Sequence, residues 1–205
     1  MILIRQSILQ ILGEVWPTIL ICSVIAISMR ITYIIKNKNE FIFYKELLSF
    51  TFLIYVLCLF YVVTFQDVGW SSSNFIPFKE MFRYSLGSRL FIKNVLGNII
   101  MFAPYGFFVS YYLDLKKPKA SIILVLMLSL AIETTQLVIG RVFDIDDIIL
   151  NVLGGFVGFY FYHSLDAIRN HLPRFLRKPL VYNIIISIIA IIFIMYMLNM
   201  INVGV

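Results

Sequence analysis

Six stretches of this chain run for about 20 residues with almost no charge: 17–35, 47–65, 95–113, 120–139, 148–164 and 180–201. A bilayer's hydrocarbon core is crossed by about 20 helical residues, and a helix there satisfies its own backbone. The repetition therefore predicts an all-α membrane protein, a polytopic bundle of about six transmembrane helices. Composition agrees, with 61% hydrophobic residues, 14% charged and a mean hydropathy of +0.94. A soluble domain is nearer half apolar and one quarter charged.

Ahead of the first span, Ile4, Ile8, Ile11, Leu12 and Val15 recur at helical spacing, which predicts a short interfacial helix over 2–15. No small-residue cleavage site follows the first run, so it is expected to stay as a membrane helix. Cys22 and Cys58 fall inside apolar runs and read as small buried hydrophobes. The long connection 66–93 opens with "QDVGWSSSN" and passes through "FIPF". It then mixes Met81, Phe82, Leu86, Leu90 and Phe91 with Lys79, Arg83, Arg89 and Lys93. That mixture suits an amphipathic helix, an interfacial segment lying in the headgroup region. The expected organisation is 1–46 as an interfacial segment and first span, 47–164 as a four-span domain with the loop 66–93, and 165–205 as a basic loop and last span.

The net charge of +6 and pI near 9.3 come without the aromatic and basic interleaving of a nucleic-acid binder. Lys and Arg instead mark loops facing anionic lipid, so the partner expected is the bilayer, with no nucleic acid. Eleven of the 17 flank the first, third and fifth connections: Arg30, Lys36, Lys38, Lys45, Lys116, Lys117, Lys119, Arg169, Arg174, Arg177 and Lys178. The positive-inside rule puts these loops in the cytoplasm and the termini, the loop 66–93 and "GRVFDIDD" outside. Trp16, Trp70, Tyr111, Tyr112, Tyr160 and Tyr162 sit near predicted span ends, where amphipathic rings are favoured.

Polar groups inside spans carry the functional information, because a central charge costs about 2.5–3.5 kcal/mol on insertion scales. Asn94 and Asn98 share a face near the outer end of the third span, with Pro104 and Gly106 in mid-span. In the fourth, Glu133 lies roughly 9 Å below the outer end, followed on its face by Gln136 and Gly140, with Arg141 at the boundary. If the fifth helix starts near Asp144, then Asp144, Asp147, Asn151, Gly155 and Gly158 form one stripe. Asp146 points to the other side and is expected to be replaceable. Three spans thus bring Asn98, Glu133, Gln136, Arg141, Asp144, Asp147 and Asn151 to one level under the outer surface.

These groups fit either an ion-pair and hydrogen-bond network pinning three helices or an outward-facing site. As a site, two chemistries suit them. Glu133, Asp144 and Asp147 with amide oxygens fit a hard cation such as Ca²⁺ or Mg²⁺. Otherwise Arg141 binds phosphate or carboxylate by its planar fork, with Glu133 and Asp147 as acid or base candidates. No resident cofactor is expected, the divalent cation being the alternative. No Ser-His-Asp set, HExxH, CxxC or phosphate loop is present. His163 and His171 lie far from the cluster, at the cytoplasmic end. Asn74, Pro77 and Phe78 read as a turn at the site mouth, and Gly154, Gly155 and Gly158 as packing residues.

The same residues carry a likeness. "NIIMFAPYGF" (Asn98–Phe107), "IETTQ" (Ile132–Gln136), "GRVFDIDDIILNVLGGFVG" (Gly140–Gly158) and the upstream "NFIPF" (Asn74–Phe78) resemble the VanZ-like family over roughly Leu47 to His163. The resemblance does not extend to Arg141, which the family's named member lacks along with part of that loop. It implies a bacterial cell-envelope protein associated with teicoplanin resistance, acting without precursor-remodelling enzymes. The expected partners are then the lipoglycopeptide or a lipid-linked wall precursor at the outer leaflet. A membrane enzyme acting on lipid-linked or phospholipid substrates is the alternative. A small transporter or flippase is another, without an internal repeat to support alternating access. Nothing in the sequence sets an oligomeric state.

Overall fold

The computed structural model describes residues 2–38, 40–65, 73–85 and 87–202. The polar start of the long connection, 66–72 with Trp70, and Leu86 lie outside them. Among the described residues the secondary structure is helical, apart from a single parallel bridge between Asn74 and Asp144. The helices are α1 (Ile2–Asn37), α2 (Phe43–Phe65), a short α3 (Arg89–Phe91), α4 (Gly97–Tyr112), α5 (Pro118–Val138), α6 (Ile145–His171) and α7 (Pro179–Asn202). Six helical segments among the described residues are long and apolar enough to cross a membrane; α3, the turns after it and α4 form the third of them.

α1 is one helix from Ile2 through Pro17 to Asn37, so the helix predicted over 2–15 is continuous with the first span. Pro17 removes one N–H, but a break would free several backbone groups. Two expectations need correction. The amphipathic stretch Lys79–Lys93 is helical only in pieces. A 3₁₀ turn covers Met81–Arg83, the chain bends at Gly87 (φ +80°), and Ser88 starts a new helix by accepting from the Phe91 N–H at 3.1 Å. Arg89 and Lys93 therefore belong to the third span. Finally, α6 continues to His171, well past the apolar run. Its polar end is held by local bonds, Ser164 Oγ to the Tyr160 carbonyl (2.8 Å) and Asn170 Nδ2 to Asp166 (3.2 Å).

The chain divides into two compact units, Val63–Asn170 and the remainder. In the remainder, Arg30 of α1 makes a two-pronged ion pair with Glu46 of α2, at 2.7 Å on both oxygens. The planar fork matches the carboxylate and fixes the register of the two helices. Asn183 of α7 accepts from the Tyr44 N–H at 3.0 Å, satisfying a donor in the first turn of α2.

The unit Val63–Asn170 is built on glycine. A Cβ on Gly106 would collide with the Gly155 backbone, one on Gly154 with the Ile99 carbonyl, and one on Gly158 with the Ala103 carbonyl. α4 and α6 therefore touch backbone to backbone, as small residues allow between helices in apolar surroundings. Gly155 also receives the Val125 side chain of α5. The buried face of α5 repeats every fourth residue, as Ser121, Val125, Ser129 and Glu133. Small side chains there let α5 lie close to α6, and the stripe ends on a carboxylate.

Candidate functional site

Each helix end at the cluster is shaped by its own sequence. Gly140 ends α5 at φ +84°, with the Gly140 N–H on the Leu137 carbonyl (3.2 Å) and the Arg141 N–H on the Gln136 carbonyl (2.8 Å). This paired arrangement at a left-handed residue closes a helix and satisfies its last carbonyls. Asp144 then starts α6: its Oδ1 accepts from the Asp146 N–H at 2.9 Å. Asp146 and Asp147 fall in the first turn, where the helix dipole favours negative charge. On the third span, Ile92–Leu96 take π-helical turns, and the Gly97 N–H bonds to the Ile92 carbonyl. The wider turn frees the Asn94 carbonyl, which the Asn98 side chain caps at 3.0 Å.

The loop "NFIPF" is tied down onto these ends. Asn74 is buried, donates its N–H to the Phe143 carbonyl (2.8 Å), and accepts from the Ile145 N–H (3.0 Å). Its amide donates to Asp144 Oδ1 at 2.9 Å, and its oxygen accepts from the Ile76 N–H at 3.2 Å. Phe75 stacks on Phe143 at 5.3 Å between centroids. Pro77 and Phe78 turn the chain, with Phe78 at φ +68°, a conformation costing a non-glycine residue of order 1–3 kcal/mol.

That strain is offset by Asp146, and here the expectation fails. Helical spacing alone turns Asp146 away from the cluster and marks it as replaceable. It is 2% exposed, and its carboxylate accepts from three loop N–H groups: Phe78 (2.5 Å), Glu80 (2.8 Å) and Met81 (3.0 Å). The helical stripe separated Asp146 from Asp147, but Asp144 and Asp146 hold the same loop. It could not show that the loop comes down on the other side of α6. Nor does Asp144 lie within the helix; it precedes it, as the cap.

The remaining groups assemble as follows. Glu133, 2% exposed, accepts from the Asp144 N–H at 2.9 Å. With the Gln136 amide nitrogen turned toward Glu133, it donates to Oε1 at 3.1 Å, while its oxygen accepts from Arg141 Nη1 at 3.2 Å. Arg141 Nη1 also donates to the Val63 carbonyl at 2.5 Å. Asp147, half-buried, accepts from Asn98 Nδ2 at 2.5 Å. Asn151, 2% exposed, donates to Ser129 Oγ at 2.9 Å. Burial pushes the Asp144 carboxyl above its ordinary value, against the pull of the Asp146 N–H and the Asn74 amide.

The hydrogen bonds of the expected network form, but its ion pairs do not. Among the described residues, the ion pairs involve neither Arg141 nor any of Glu133, Asp144, Asp146 and Asp147. Arg141 is spent on neutral carbonyls, so the carboxylates are held by N–H groups and amides and not by mutual ion pairing. The Ca²⁺ or Mg²⁺ set of Glu133, Asp144 and Asp147 does not converge either. No three His, Cys, Asp or Glu side chains among the described residues are placed to hold a metal ion. The reason is visible in the bonds: Glu133 and Asp144 turn their oxygens to donors at the helix ends. His163 lies 16 residues beyond Asp147, about 24 Å along α6, against the Leu115 carbonyl (2.9 Å).

Sequence reading missed Ser129 and Tyr84. Ser129 holds Asn151, and Tyr84 accepts from the Asn94 amide at 2.9 Å. Ser129 stands four residues before Glu133, and that spacing was a usable signal. Tyr84 lies beyond the bend at Gly87 and gave none.

Residues 52–168, more than half of the chain, match the VanZ/LLP1 family. The chain belongs to that family. The matched region includes every polar residue of the cluster, from Asn74 to Asn151. No curated protein and no solved structure matches the chain. In this VanZ/LLP1 protein the "NFIPF" and "FDIDD" segments form one hydrogen-bonded unit, joined through Asn74, Asp144 and Asp146.

Proposed function

We propose that this VanZ/LLP1 protein is a multi-pass protein of the bacterial cell membrane that contributes to teicoplanin resistance. In this reading its carboxylate and amide cluster faces outward and engages the lipoglycopeptide or a lipid-linked wall precursor at the outer leaflet. Drug reaching its target is thereby reduced, without chemical change to the precursor. The basic first, third and fifth connections support the orientation. Family membership supports the envelope role.

One observation carries the reading. Of four clustered carboxylates, Asp144 and Asp146 are committed to holding the loop and Glu133 to holding the turn. Asp147 is half-buried with a single amide donor, Asn98, and no basic partner among the described residues. A carboxylate in apolar surroundings with so little satisfaction is functional by default, because structure alone would pair it or remove it. It suits a ligand presenting N–H, O–H or ammonium donors.

The experiment is teicoplanin and vancomycin susceptibility of a deletion strain, with envelope precursors compared by mass spectrometry. The reading expects deletion to raise teicoplanin susceptibility with the precursors chemically unchanged. Unchanged susceptibility to both drugs would remove the resistance role. A new precursor species would turn the site into a catalytic one.

A further inference from the structure

The turn at Pro77 and Phe78 carries large apolar side chains outward. Phe75 is 67% exposed, Ile76 61%, Phe78 50% and Phe82 79%. Phe78 and Phe82 lie side by side, with ring centroids 6.2 Å apart. This tip is fixed at the level of the span ends. Asn74 bridges to Asp144, the cap of α6, and Asp146 in the first turn of α6 holds the Phe78, Glu80 and Met81 N–H groups. Ser88 then starts the third span.

The backbone of the tip points to what covers it. From Ile76 to Arg83 every N–H has an acceptor inside the protein, Pro77 having none to satisfy. Asn74 Oδ1 takes that of Ile76, and Asp146 takes three. The Ile76, Phe78 and Glu80 carbonyls take those of Lys79, Phe82 and Arg83, at 3.4, 3.3 and 3.2 Å. A loop in water has no need of complete internal pairing, because water satisfies its donors. A non-helical loop in water-poor surroundings does need it. Apolar side chains outside and paired donors inside suit the headgroup–acyl boundary, with the rings and not the backbone reaching the acyl chains.

Charge selects the partner. Lys79, Arg83 and Arg89 are exposed on the same stretch, against one acid, Glu80, which pairs with Arg83 at 3.0 Å. A second copy seated on this surface would bring like charges together. Anionic headgroups complement it, since long basic side chains reach phosphate while the rings lie below.

We propose that Phe75, Ile76, Phe78 and Phe82, with Lys79, Arg83 and Arg89 beside them, form a docking surface for anionic phospholipid of the adjacent leaflet. A rigid aromatic tip thus takes the place of the flat-lying helix expected over 79–93. The proposal does not depend on the resistance reading: Asp147 takes no part in it, and its test contains neither antibiotic nor wall precursor.

The test is tryptophan quenching in the full chain. Its two tryptophans, Trp16 and Trp70, are replaced by Phe, and Phe82→Trp supplies the reporter, with Ile76→Trp as a second. The protein is reconstituted in vesicles of phosphatidylcholine and phosphatidylglycerol in equal amounts, with brominated acyl chains on one lipid or the other. Both reporters are expected to be quenched by the bromines and shielded from acrylamide in the water. Phosphatidylglycerol should outnumber phosphatidylcholine about fivefold at the reporter, the preference that one cation near an anionic surface supplies. Changing Lys79, Arg83 and Arg89 together to Gln should remove that preference and leave the bromine quenching in place. Equal quenching by the two brominated lipids with the three cations intact would overturn the proposal. So would quenching by acrylamide and not by bromine, which means a surface facing water. Shielding from both quenchers would also overturn it, since a second copy of the chain would then cover the tip.

Discussion

At the scale of the residue, the four clustered carboxylates do different work, and substitution separates them. Asp146→Asn leaves one carbonyl oxygen where a carboxylate met three N–H groups. Stranding a buried donor costs about 1–3 kcal/mol, so this is the most destabilising of the four Asp and Glu to amide changes. It should lower Tm and speed hydrogen exchange at the Phe78, Glu80 and Met81 amides. Asp144→Asn behaves oppositely. Its Oδ1 still accepts from the Asp146 N–H and the Asn74 amide, while the buried charge is gone. Because burial raises the Asp144 pKa in the folded state, the ionised form lowers stability above that pKa, and the loss is recovered as pH falls. Asp144→Asn should therefore melt higher than wild type at pH 7, with the gap closing as pH falls through the carboxylate range. A gap that widens on acidification would contradict this. The sequence made the cluster legible through 3- and 4-residue spacings alone. It ranked Asp146 last because helical periodicity reports which side of a helix a residue takes, and not what a distant loop brings to that side.

At the scale of the element, the spans were readable to within a few residues wherever apolar length set the limits, as in α2, α5 and α7. Reading failed where backbone conformation set them. The bend at Gly87, the π-helical turns at Ile92–Leu96 and the polar extension of α6 to His171 depend on single residues and local hydrogen bonds that hydropathy does not register. The glycines of α6 were readable as packing residues, but not their partners. The contacts make specific demands. Gly155→Ala and Gly158→Ala each force α6 off neighbouring atoms, Val125 of α5 for the first and the α4 backbone for the second, and overpacking costs typically 1–3 kcal/mol. Gly158 meets backbone, which cannot rotate away, so Gly158→Ala should cost more than Gly155→Ala, where the Val125 side chain can shift. Gly140→Ala meets open space and should cost only about 1 kcal/mol, through its positive φ. Ranking the three by Tm in one detergent tests the contacts.

At the scale of the whole molecule, apolar length gives the number of spans, and the distribution of Lys and Arg is the ground for the proposed orientation. In a background lacking Cys22 and Cys58, single cysteines at Lys117 and at Gly140 should label from opposite sides, the first from the cytoplasm and the second from outside. Labelling of both from one side would break the topology on which an outward site depends. The cluster's functional claim rests on Asp147, the one carboxylate that the fold does not use up. The most direct measurement is teicoplanin susceptibility of the deletion strain carrying wild type or Asp147→Asn, with Tm and membrane abundance measured alongside. Asp147→Asn should match wild type in abundance, melt no lower than wild type, and fail to restore resistance. Full restoration by Asp147→Asn at equal abundance would contradict the account.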